Sequence, residues 1–166
     1  MALEHGIDLV IELPVIAATS SAETFAQGGV YLLDSLGVVS HISFGAEANT
    51  TSDIDMLDKL ADFFAFEPPA FQKYLDLELK SGCSFPAARA KAAVLCLQQM
   101  AFDSMNTDTV AQLERLLASP NNILAIEYMK AIHRQNLKLT PSVVTRMVQV
   151  IMILILIQNL PVLLPA

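Results

Sequence analysis

Basic residues are scarce in this chain: 10 Lys and Arg stand against 17 Asp and Glu, a formal charge of −7 with a pI of about 4.8. A surface of that sign gives no general electrostatic footprint for nucleic acid, so an RNA partner would need a local basic patch. Cysteine is nearly absent. Cys83 and Cys96 are too few and too far apart for a disulfide framework or a four-ligand zinc site, which points to a reduced cytoplasmic setting. His5, His41 and His133 lie far apart with no HxxE or HExxH spacing, and no protein-bound metal is expected. A basic n-region is missing too: residues 1–13 carry Glu4, Asp8 and Glu12, so no signal peptide is read there.

What is present is enough for one domain with a core: 166 residues and a mean hydropathy of +0.49. Residues 1–50 read as a βαβ unit. Gly6 stops a short helix end, and Ile7–Leu13 is an apolar run suited to a strand buried in a parallel sheet. A helix follows, capped among Thr19, Ser20 and Ser21 and stopped by Gly37, with Gly28 and Gly29 marking either a break in it or close packing on the sheet. Val38–Phe44 is the second strand, and Gly45-Ala46-Glu47 stands at its carboxyl end, where open α/β sheets bind ligands. Residues 51–118 form a helical section. Ser52 is read as the cap of a helix over Asp53–Phe64, Ser84-Phe85-Pro86 as the start of another, and Thr107-Asp108 as a third cap. Arg89 and Lys91, its one close basic pair, could meet a phosphate but read first as a solvated face. Residues 119–146 return with a helix over Asn122–Arg134 and a strand over Lys138–Val144, short or at an edge because of Pro141.

Candidate binding residues cluster at the turns of this frame. Ser119 is a good N-cap, its hydroxyl placed to accept a first-turn N–H, and Pro120 suits the first helical position. The positive end of that helix favours an anion, and Asn121 and Asn122 bring donors and acceptors for a base or ribose, unless both amides merely serve the cap. Gly45 allows close backbone approach, Glu47 can accept from a ribose or base, and Arg146 at the last strand's end can fork onto an oxyanion.

Five runs, in this order, carry a resemblance: Met1 to Pro14 (MALEHGIDLVIELP), Ser20-Ser21-Ala22-Glu23, Phe44-Gly45-Ala46-Glu47, Ser84 to Arg89 (SFPAAR) and Ser119 to Tyr128 (SPNNILAIEY). Over residues 1–146 the chain resembles the bacterial tRNA(Met) cytidine acetate ligases. The resemblance implies an α/β, partial Rossmann-like HIGH nucleotidyltransferase fold with an inserted helical section. It also implies a ligase that activates acetate with ATP to acetyladenylate, magnesium accompanying the nucleotide, and passes acetyl to N4 of the wobble cytidine of elongator tRNA-Met. In the family pattern ATP meets Gly45, Asn122 (Asn121 less so) and Arg146.

Two departures accompany it. The HxGH loop, whose histidines steady the ATP phosphates, has no counterpart in the 166 residues. Each such preorganised donor contributes roughly 2 to 4 kcal/mol to a transition state, so this chain is expected to be inactive by itself. Absence of the strand that carries the loop is also expected to leave a sheet edge unpaired. The second departure is the apolar tail, residues 147–166. Read one base out of frame, Met147-Val148 must encode Gly and Met152-Ile153 must encode Asp, and the intervening pairs permit the family's GAGYxD run. The expectation is a one-base deletion just after Arg146. Two alternatives remain from sequence: another adenylyl-transferring enzyme, or a small protein anchored in a membrane by Val148–Leu164.

Overall fold

The computed structural model describes residue 4, residues 6–101 and 105–145, and residues 153–156 by their backbone. The chain runs α1 (Val15–Ala18), α2 (Ala22–Ser35), β1 (His41–Ala46), α3 (Thr51–Phe66), α4 (Pro69–Lys80), α5 (Phe85–Met100), α6 (Thr107–Ala118), α7 (Pro120–Gln135), β2 (Thr140–Thr145) and β3 (Ile153–Leu156). The sheet has the order β2-β1-β3. β1 and β2 are parallel, in register from His41 opposite Thr140 to Ala46 opposite Thr145. The fold is α/β, with five helices between its two parallel strands.

The frame differs from expectation at its start. Ile7–Leu13 forms no strand, and Leu9 and Val10 are more than half exposed. An apolar run states a preference for burial, but a strand also needs a neighbour to pair with. Both edges of β1 are taken, by β2 on one side and by antiparallel β3 on the other. The expected βαβ unit is therefore replaced by a crossover from β1 through α3–α7 to β2. The β1 edge expected to be unpaired carries Ile153–Leu156, with Phe44 opposite Ile153. Pro141 is tolerated because β2 lies at the sheet edge.

Helix α7 is the centre of the packing. Residues 125–132 are buried without interruption, as in a helix covered all round. It contacts α2, α3, α6 and β1. Ile126 and Met129 meet a core that includes Leu57, Leu60 and Phe64 of α3, Ala92 of α5, and Leu113 and Leu116 of α6. Tyr128 stacks on Phe44 of β1, centroids 5.2 Å apart. Phe63, Phe64 and Phe71 form a three-ring cluster with edge-to-face contacts between 5.3 and 5.7 Å.

Caps fall one or two residues before the expected ones. Thr50, not Ser52, caps α3: its hydroxyl accepts from Asp53 N at 3.1 Å, while Asp53 Oδ2 accepts from Asn49 N at 3.0 Å. The arrangement resembles a capping box, except that Asp53 reaches back to the N–H of the residue before the cap, Asn49, instead of that of Thr50. Asn106, not Thr107, caps α6, accepting from Thr109 N at 2.8 Å. Burial pushes the Asp53 carboxyl up, but Gln112, the Asn49 N–H and the Arg115 guanidinium outweigh it and hold the group at about 2, against an ordinary 3.8. Its folded value is the lower one, so its stabilisation is complete above pH 3.8 and is lost as the pH falls from there through 2. The gap corresponds to about 2 kcal/mol. Unfolding free energies from urea titration of wild type and Asp53→Asn should differ by that amount at pH 6 and converge towards pH 2.

The Gly28-Gly29 pair packs on a helix instead of the sheet. A Cβ at Gly28 would lie 2.6 Å from the Ala17 Cβ of α1, whereas one at Gly29 would make an ordinary 3.7 Å contact with Tyr128. Alanine gains up to about 1 kcal/mol over glycine in a helix interior, and an overpacked contact costs roughly 1–3 kcal/mol. Gly28→Ala should therefore lower stability in a urea titration, and Gly29→Ala should raise it.

Candidate functional site

β1 and the start of α7 meet at the carboxyl end of the sheet. Asn122, 1% exposed, accepts through Oδ1 from the backbone N–H of Glu47 at 2.8 Å. Asn121 donates from Nδ2 to Glu47 Oε1 at 2.7 Å. Both amides thus reach across to Glu47, 75 and 74 residues away in sequence, which overturns the reading that they merely serve the cap. Ser119 does not cap with its side chain. It ends α6 and starts α7 at once, and its Oγ is buried with no hydrogen-bond partner.

Gly45 belongs to β1 itself, opposite Val144, and not to a turn after it. Thr145 ends β2 and donates from Oγ1 to Ala48 O at 2.9 Å, closing the same end of the sheet. Arg146, the next residue, lies outside the described residues. Gly45, Glu47, Asn121 and Asn122 are therefore on one platform: a strand end, a buried amide and the amino end of a 16-residue helix.

Beside this platform is a feature that the sequence reading missed. Arg89 Nη1 lies 2.7 Å from Glu127 Oε1, and its guanidinium sits 4.0 Å from the centroid of the Phe64 ring. Lys130 Nζ donates to Glu23 Oε1 at 2.8 Å and lies 2.9 Å from Glu127 Oε2. The expected solvated face at Arg89 is instead an ion cluster joining α2, α5 and α7, buried at Glu127 and Lys130 and half-exposed at Glu23; Lys91, by contrast, is exposed and pairs with Glu78. The Lys130 ammonium holds the Glu23 carboxyl below its usual range. The readable signal was the i,i+3 spacing of Glu127 and Lys130; their partners lie on other helices. The cluster lines a cavity of about 260 Å³ whose walls include Phe64, Phe85, Ile123 and Ile126. A larger cavity, about 520 Å³, runs past Asp58, His133 and the first residues of β2 and holds none of the motif residues. Among the described residues no group of three or more His, Cys, Asp or Glu could hold a metal ion.

A parallel strand end met by a helix start is the position at which open α/β proteins receive their ligands. Residues 1–151 match the HIGH Nucleotidyl Transferase family, and the chain belongs to it. More particularly, it is similar to proteins named tRNA(Met) cytidine acetate ligase. It is 46% identical over 147 residues to that of Clostridium perfringens strain SM101, covering 89% of this chain and 35% of the relative. It is 46% identical over 146 residues to that of Thermoanaerobacter sp. strain X514, covering 88% and 33%. The crystal structure of Thermotoga maritima TmcAL bound with alpha-thio ATP superposes with a TM-score of 0.73 at 36% identity, over 87% of this chain and 33% of that one. The chain thus spans about a third of the length of these relatives.

Proposed function

We propose that this chain is the nucleotide-binding portion of an ATP-dependent acetate ligase acting on the wobble cytidine of elongator tRNA-Met in the cytoplasm. The observation that carries the reading is the Asn122–Glu47 hydrogen bond, which joins the SPNN helix start to the FGAE strand end in one platform. The ATP analogue bound by the Thermotoga maritima relative supports the choice of nucleotide. In this reading Gly45 lets ATP approach the backbone, Asn122 and Asn121 present the helix start to it, Glu47 takes a ribose or base donor, and Arg146 pairs with phosphate. Magnesium arrives with the nucleotide. The residues form four units: 1–50, the helical section 51–118, the return 119–146, and the tail 147–166.

No described helix is long and apolar enough to cross a bilayer, and most of the run Val148–Leu164 lies outside the described residues. Within the run Val148–Leu164, the described residues Ile153–Leu156 are a strand of the sheet.

Without an HxGH motif the 166-residue chain is expected to bind ATP but not to form acetyladenylate. Calorimetry with ATP and magnesium should register binding, weakened at least tenfold by Asn122→Ala with the fold intact by circular dichroism. Equal affinity in the variant, or no binding by the wild type, would sink the site. Acetate-dependent pyrophosphate release from ATP would refute the predicted inactivity.

A further inference from the structure

β1 stops at Ala46, yet each of the three residues after it is held by a side chain of α7, β2 or α3. Backbone pairing between β1 and β2 ends with Ala46 opposite Thr145. Beyond that rung the Glu47 N–H donates to Asn122 Oδ1 at 2.8 Å, and the Ala48 carbonyl accepts from Thr145 Oγ1 at 2.9 Å. The Asn49 N–H donates to Asp53 Oδ2 at 3.0 Å. Ala46 and Ala48 are both buried, and a buried turn must find partners for its backbone polar groups.

Two of the three holders have another task. Asn122 begins α7 within the platform, and Asp53 is ion-paired with Arg115. Thr145 has no second partner among the described residues. Its side chain is exposed at the last position of β2, whose ladder the backbone makes, so neither core packing nor sheet pairing requires a hydroxyl there. Threonine is also stiff at χ1, which suits a hydroxyl that must stay on one acceptor.

We propose that Thr145 is a positioning residue for the nucleotide: its hydroxyl continues the β1–β2 pairing by one side-chain rung and so holds Glu47 where Asn121 and Asn122 meet it. This role presupposes the reading of the platform as an ATP site, and Thr145 acts there through Ala48 without touching the ligand. The Glu47 N–H and the Ala48 carbonyl belong to peptide planes on either side of the Glu47-Ala48 pair. Each plane is rigid, so bonding both fixes the φ and ψ of the two residues between them. The Glu47 carboxylate, which accepts from Asn121 Nδ2 at 2.7 Å, is then carried on a backbone of one shape. Release of the Ala48 carbonyl frees those dihedrals and leaves the carboxylate tethered by its tip.

The test compares the purified 166-residue chain with Thr145→Val, which keeps the shape and removes the donor, and Thr145→Ser, which keeps the donor. In calorimetry with ATP and magnesium the valine variant should bind about fivefold more weakly than wild type, the scale of one ordinary hydrogen bond. The serine variant should stay within about twofold of wild type. Amide hydrogen exchange without ligand reads the positioning directly. The Glu47 N–H should exchange about fivefold faster in Thr145→Val and regain protection in Thr145→Ser, while the Met129 amide in the middle of α7 keeps its wild-type rate. Equal ATP affinity in wild type and Thr145→Val, a serine variant as weak as the valine one, or unchanged Glu47 exchange would overturn the proposal. So would equal acceleration at Met129, since the hydroxyl would then serve the whole fold. No ATP binding by wild type removes the nucleotide reading and this role together, whereas ATP binding equal in wild type and Thr145→Val removes this role only.

Discussion

Arg89→Ala should lower unfolding free energy by about 3 kcal/mol, one of the two largest single-site effects expected in this protein. Removing one partner of a buried ion pair typically costs 3–5 kcal/mol, because the remaining charge is left uncompensated. Here Glu127 keeps Lys130 nearby, which places the effect at the lower end. The substitution also strips a guanidinium from the Phe64 face, an interaction of order 0.5–2 kcal/mol. Arg89→Met would preserve stem packing and isolate the charge. Charge accounts for the loss if the double variant Arg89→Met with Glu127→Gln recovers at least about 1 kcal/mol in a urea titration. A double variant no more stable than Arg89→Met would assign the loss to packing.

Phe71→Ala should cost about 3–5 kcal/mol, the usual range for emptying a buried aromatic site. Phe71 is 1% exposed and meets Phe63 and Phe64 edge-to-face, so neither neighbour can collapse into the hole without losing its own ring contact. At roughly 2–4 °C per kcal/mol for a chain of this size, its melting temperature should fall by about 10 °C. Phe66, five residues earlier and 70% exposed, provides the contrast: Phe66→Ala should stay within about 0.5 kcal/mol. A small effect at Phe71 would mean that the α3–α4 packing is looser than its geometry indicates.

The helices were legible in the sequence because their signals are local. Ser84-Phe85-Pro86 and Ser119-Pro120 each mark a start, and the spacing of Leu57, Leu60 and Ala61 marks a buried face. Strand pairing was less so. Ile7–Leu13 is more apolar than β2, yet β2 is the paired strand, since pairing depends on a neighbour that composition does not name. At the candidate site the residues Gly45, Glu47, Asn121 and Asn122 were readable as types, while their joining was not: a bond across 75 residues has no local trace. The ion cluster failed to show for the same reason in reverse. A charge on a helix reads as solvated until the helix opposite is known, and Arg89, Glu127 and Glu23 sit on three.

The register of the sheet has a consequence during synthesis. β1 emerges from the ribosome 99 residues ahead of its parallel partner, from His41 to Thr140. At 5–20 residues per second, that gap lasts about 5–20 s. Through that interval the Asn122 side chain that will hold the Glu47 amide has mostly not been made, and β1 waits with bare backbone donors and acceptors on the side β2 will occupy. Such an edge is a template for the wrong strand. The nascent chain is therefore a natural client for chaperones that shield extended segments, and slowing translation between Ala46 and Pro120 should raise its aggregation in a chaperone-depleted extract.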